Sequence, residues 1–343
     1  MTRAGAIMGR TYPILFAIFF VAASLLPAQG SLSGPSLGFF FDPQAQTIRN
    51  LRGIPGSAVA GESLALGYPV ANAVFSPAQD YALATGGDGS INLIVLGGPT
   101  ITTQVVTAVP SAPDHIVISP AGQAAAFAYG TSVKVLTGLP GSLDQVANQV
   151  VDIDMSALPS TPSGLAVSDD GAVLLVSIPG DPQSSSPGGV FAFNRDGSGP
   201  RFLARQAASD VSFIGASHDA LITDGNANSV TALQDAGGAA TLQWIFVDDR
   251  LPAPSVARVS MDGQRVLVGS VGSAKNGTIA LLNRDGSAPL FLACACSPNQ
   301  MAPLSGSIYQ LTDTASGLLW IMDLTQDPRL LFVPIPPVTG DSQ

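Results

Sequence analysis

The stretch NAVFSPAQDYALATGGDGSINLIVL, residues 72–96, is followed by HIVISPAGQAAAFAYGTSVKVLTGL, residues 115–139. In both, a short apolar run meets a Ser-Pro turn, a second apolar run follows, a glycine-bearing turn reverses the chain, and a third apolar run closes the block. Short runs of this kind, bounded by Gly, Pro, Asp and Ser, read as strands joined by tight turns. The order recurs from Gly164 (GLAVSDDGAVLLVSIPG), Asp210 (DVSFIGASHDALITDGNANSVTAL), Val256 (VARVSMDGQRVLVGSVG) and Met301 (MAPLSGSIYQLTDTASGLLWIMDL). Equivalent turn positions fall at Ser76, Ser119, Ser168, Gly215, Ser260 and Ser305, so five intervals cover 229 residues, about 46 each. A period in the forties with room for four strands per unit predicts an all-β fold, a β-propeller.

Six complete four-stranded blades account for these blocks. GFFFDPQAQTIRNL, Gly38 to Leu51, looks like the outer strand pairs at 189–203 and 277–292 and is expected to be an N-terminal closing hairpin docked on the last blade. A seventh, incomplete blade is the alternative. One propeller domain over 31–343 follows, and ring closure removes sheet edges, which makes a monomer the default.

Ahead of it, Arg3 and Arg10 precede an apolar run from Ile14 to Leu26 that ends at Pro27-Ala28-Gln29-Gly30. Thirteen residues suit the core of a signal peptide and fall short of the roughly 20 that a membrane span needs. Residues 1–30 are read as a signal peptide, giving an exported protein, periplasmic or extracellular, with no stable membrane span after cleavage.

Composition narrows the function classes. The 343 residues carry 14 Lys+Arg against 24 Asp+Glu, and Glu62 is the sole glutamate. Asp and Gly favour turns, whereas helical surfaces draw on Glu, Lys and Arg. Two lysines and a formal charge of −10 leave no basic stripe to neutralise phosphates, so nucleic acid is not an expected partner.

LITDGNANSVTAL, Leu221 to Leu233, resembles the strand, turn and strand core of the YVTN repeat, found in exported relatives of WD-repeat and NHL propellers. The Ser-Pro and Asp-Gly turns stand where that family has Ser-Pro-Asp-Gly. The resemblance implies a propeller over nearly the whole mature chain and says little about function.

No catalytic constellation emerges. A Ser-His-Asp site needs a histidine beside its serine, and the two histidines, His115 and His218, lie in separate blocks. Gly34-Pro35-Ser36-Leu37-Gly38 matches Gly-x-Ser-x-Gly but precedes a strand, and Ser36 reads as part of a flexible terminus. Asp152 and Asp154 would share one side of a strand, and the Asp224, Asn226, Asn228 series lacks the glycine of a calcium loop. No metal or other cofactor is expected. Cys294 and Cys296 pair only if the segment curls on leaving its strand; two buried thiols are the alternative.

The positional candidate is the loop face on which each innermost strand begins. It carries Asn72, Asp114, His115, Ser163, Asp210, Ser255 and Gln300, all polar. Two functions stay open. One is a non-enzymatic propeller that binds a protein, peptide or glycan at this face. The other is a metal-dependent lactonase similar to the gluconolactonase-type propellers, which implies Glu62, Asn72 and Asp210 as the ion's ligands.

Overall fold

The computed structural model describes residues 34–336 except 99, 142–149, 180–187, 206–207, 273–275 and 316. The predicted leader, 1–30, lies outside the described residues. The chain forms seven antiparallel sheets, and no helix is present among the described residues. Blade 1 holds β1 (Ser36–Asp42), β2 (Thr47–Arg52) and β3 (Val59–Ser63). Blade 2 runs from β4 (Val70–Phe75) to β7 (Thr102–Val105), blade 3 from β8 (His115–Ile118) to β11 (Val151–Asp154), and blade 4 from β12 (Gly164–Val167) to β15 (Arg201–Ala204). Blade 5 runs from β16 (Ala208–Phe213) to β19 (Thr241–Val247), blade 6 from β20 (Pro254–Val259) to β23 (Leu290–Cys294), and blade 7 from β24 (Ala302–Pro303) to β27 (Arg329–Pro334). In blades 2 to 7 the first strand of each is innermost and four strands pair in order.

The apolar residues explain why these sheets close into a ring. Each middle strand is buried on both faces, so successive side chains feed two different interfaces. Tyr81, Leu83 and Phe127 fill the joint of blades 2 and 3, while Ala126, Val135 and Val176 fill that of blades 3 and 4. One such cluster sits at every joint, including Leu37, Phe40 and Leu51 against Ile308, Leu319 and Val333, which seals blade 7 to blade 1. Complete burial of a residue such as Phe40 is worth roughly 1.5–3 kcal/mol.

The turn serines act as the repeat anticipates. Ser76, Ser119, Ser168 and Ser260 are buried, and each Oγ accepts an amide from the strand that follows: Tyr81 at 3.2 Å, Ala124 at 3.0 Å, Val173 at 2.9 Å and Arg265 at 2.9 Å. Ser305 is exposed and caps nothing; the blade 7 turn closes through the Leu304 amide on Ile308 O at 2.8 Å.

The N-terminal strands make the seventh, incomplete blade rather than a hairpin added to the last one. β1 is the inner strand, stacked on β4, and β3 supplies a third strand that pairs with β2. The physical reason is two-sided burial. Phe40 and Leu51 face blade 7, Ile48 faces blade 2, and all three are fully buried, which an outermost strand does not permit. Ser36 opens β1 instead of lying in a loose terminus. Gly38 follows it at φ +125°, where an L side chain is strained and a Cβ would press on the Gln79 carboxamide at 3.1 Å.

Candidate functional site

The inner strands of blades 2 to 7 wall a central cavity of about 520 Å³. That volume is in the range of small-molecule sites. Val74, Ile116, Ile118, Leu165, Val211 and Phe213 give it apolar walls. Among the described residues, the charged ones that line it are Arg258 and Arg284, with no carboxylate. Arg258 stands on β20 and reaches back to Asp210 on β16, so an ion pair spans the joint of blades 5 and 6 at the channel wall. Asp210 also accepts the Ala257 amide at 3.2 Å. Arg284 lies at the turn end of the cavity, where its Nη1 reaches Gly263 O at 3.4 Å.

Of the seven residues anticipated at the loop face, Gln300 lines the cavity and the other six are not among its described lining residues. Four inner strands carry a bulge where they begin, between Ser36 and Gly38, Val70 and Asn72, Ala208 and Asp210, and Pro254 and Val256. In blades 5 and 6 the bulged residue is Ser209 and Ser255, so Ser209, not Asp210, is the equivalent of Ser255. Both clasp the blade that follows: Ser209 Oγ donates to Pro254 O at 2.8 Å and Ser255 Oγ to Pro298 O at 2.7 Å. Ser163 works within its own blade, on Ser177 O at 3.3 Å, and Asp114 accepts the Gly130 amide at 2.7 Å. Asn72 and His115 are exposed, and neither side chain makes a hydrogen bond among the described residues.

The remaining candidates are occupied locally. Asp152 pairs with Lys134 and Ser132, which together hold its pKa below the usual carboxylate value, the Lys134 hydrogen bond most of all. The Ser156 backbone and side chain do the same for Asp154. Asp224 accepts the Asn226 and Ala227 amides, both at 2.9 Å, and so shapes its hairpin turn. His218 Nε2 meets Asp170 Oδ2 at 3.0 Å across blades 5 and 4. Burial works against the Asp170 carboxylate, but hydrogen bonds from Ser168, the Ala172 amide and His218 outweigh it and lower its pKa. Cys294 and Cys296 are bonded to each other, with Cα atoms 5.0 Å apart where the chain bends after β23. Glu62 is exposed on the third strand of blade 1, apart from the inner strands that carry Asn72 and Asp210. Among the described residues no three His, Cys, Asp or Glu side chains gather as a metal site would require.

Sequence reasoning missed Arg258. Its one signal is spacing: Asp210 lies 48 residues earlier, close to one repeat, which places the two at similar height on adjacent blades.

The fold and this channel define a seven-bladed β-propeller. No known family matches the sequence, and no curated protein does. Among solved structures, a protein of unknown function from Desulfotomaculum acetoxidans DSM 771 aligns with TM-score 0.57 and 15% identity, over 87% of this chain and 100% of its own. A candidate 6-phosphogluconolactonase from Bacteroides fragilis NCTC 9343 aligns with TM-score 0.57 and 12% identity, over 88% of this chain and 95% of its own. At such identities the likeness is one of fold.

Proposed function

We propose that this chain is an exported, monomeric binding propeller of the YVTN kind that recruits a protein, peptide or glycan at the face where its inner strands begin, without transforming it. The observation that carries this reading is the division of labour at that face. Asp114, Ser163 and Ser255 are spent holding strands, whereas Asn72 and His115, on adjacent blades, present polar groups to solvent near a ligand-sized channel. Export is supported by the character of residues 1–30.

The test is a glycan array and a displayed peptide library probed with the mature protein and with Asn72→Ala/His115→Ala. Ligands recovered by the parent should lose about tenfold or more in affinity for the double variant. Equal binding by both proteins would show that the face is wrongly placed. The likeness to a lactonase-type propeller supplies a counter-test, because turnover of 6-phosphogluconolactone by the parent protein would overturn the non-enzymatic reading.

A further inference from the structure

We infer that the central channel binds an amphipathic carboxylate, an apolar body ending in one carboxylate, with Arg258 as its anchor. This rests on the binding reading above and adds a second, smaller ligand inside the ring.

The argument starts with the distribution of charge. The chain has 24 acids and 14 Lys+Arg, so a random lining would favour carboxylates, yet the charged lining residues are Arg258 and Arg284. The walls otherwise combine Val, Ile, Leu, Phe and Met side chains with the polar residues Ser119, Ser212, Ser260, Gln300 and Tyr309. An apolar cavity with one or two placed charges fixes the orientation of a ligand by its single polar end.

The guanidinium geometry then specifies the end group. Arginine has five N–H donors in a planar fork. In Arg258, Nη1 donates to Asp210 Oδ2 and to Ala257 O at 2.7 Å, and Nη2 reaches Asp210 Oδ1 at 3.4 Å. Among the described residues, Nε–H and the second proton of Nη2 have no partner. They lie side by side on one edge, which is the spacing that receives a carboxylate in two parallel hydrogen bonds. The Arg258 side chain is 36% exposed, and the residue lines the channel. Asp210 holds the opposite edge and fixes the plane of the fork. Arg284, at the turn end of the same cavity, adds a second positive charge that draws anions in.

Decanoate below its micelle-forming concentration is the probe, with 1-decanol and decylammonium as comparators of matched chain length, measured by calorimetry and ligand-observed NMR on the mature protein. Decanoate should bind at least tenfold more tightly than decanol, and decylammonium should not bind. Arg258→Gln should lose about tenfold or more, and Arg258→Lys should lose nearly as much because the point charge lacks the fork. Asp210→Asn should bind at least as tightly as the parent, since it removes the competing carboxylate. Gln300→Glu, which adds a negative charge to the lining, should weaken decanoate binding. Circular dichroism and thermal unfolding identify variants that keep the fold. Equal binding of decanoate and decanol, or unchanged affinity in a folded Arg258→Gln, would overturn the proposal. Either result would leave the glycan and peptide tests of Asn72 and His115 unaffected, so the two readings fail separately.

Discussion

Two ion pairs in this propeller differ in burial and in the work they do. Arg49 and Asp42 meet at 3.0 Å inside blade 1, with side-chain exposures of 7% and 3%. Arg258 and Asp210 meet on the channel wall, with exposures of 36% and 19%. The first sits at the seam of the ring. Arg49 also donates to Gly61 O at 2.9 Å in its own blade and to Pro336 O at 3.3 Å beyond the last strand, so it ties the two ends of the described chain. The second sits where the chain already runs continuously from blade 5 into blade 6. At a joint the chain crosses, hydrogen bonds need only set height. At the seam, hydrogen bonds and packing alone resist opening among the described residues, where every blade is built from consecutive strands and none is shared between the ends.

The largest predicted effect follows from that burial. Asp42→Ala should destabilise the protein by about 3–5 kcal/mol, because it strands a buried guanidinium. Asp42 also accepts the Gln44 and Ala45 amides at the β1–β2 turn, so that turn loosens as well. Asp210→Ala, at the half-exposed pair, should cost about 1 kcal/mol or less. Denaturant unfolding of both variants settles the comparison, and equal losses would break the distinction between seam and joint.

The joints were largely legible in the sequence and the seam was not. Ser76, Ser119, Ser168 and Ser260 recur at one repeat spacing because each closes the same turn, so periodicity alone finds them. Blade 1 has no counterpart of that serine and, among the described residues, three strands, and its Phe39-Phe40-Phe41 run carries no alternation to mark an inner strand. Phe39 and Phe41 turn toward blade 2 and Phe40 toward blade 7, so all three are covered by neighbours that the local sequence does not reveal. The binding face was half legible for a related reason. Blade 5 carries no serine at that turn position, and counting back from Gly215 rather than from Ile214, whose amide pairs as that of Ser260 does, moves the register by one, so Asp210 stood in for Ser209.

A second comparison sharpens the first. Gln79, from blade 2, accepts the Phe39 amide of blade 1 at 2.7 Å and donates to Pro303 O of blade 7 at 2.9 Å. One carboxamide thus spans three blades across the seam. Gln79→Ala leaves both backbone groups without a partner and should cost about 1–3 kcal/mol. The interior clasp Ser255 has a single proton for Pro298 O and Gly269 O, so Ser255→Ala should cost about 0.5–1.5 kcal/mol. Thermal unfolding of the two variants should rank them in that order.

The smallest effect comes from a pair exposed to solvent, where neither seam nor joint is at stake. Arg250 donates to both oxygens of Asp248, at 2.9 and 2.7 Å, and its guanidinium lies 3.9 Å from the centre of the Phe291 ring. Those side-chain hydrogen bonds, with one from the Arg250 amide, lower the Asp248 pKa to about 2. A carboxylate whose pKa is depressed by folding contributes stability above its unfolded value near 3.8, and that contribution is lost as the pH falls toward 2. Carboxyl-carbon NMR should place the Asp248 midpoint near 2 in the parent and move it back toward the ordinary aspartate range in Arg250→Ala. Thermal stability at neutral pH should hardly change in that variant, because an exposed pair adds little. A large loss there would mean that outer-strand contacts such as Arg250 over Phe291 share the work now assigned to the seam.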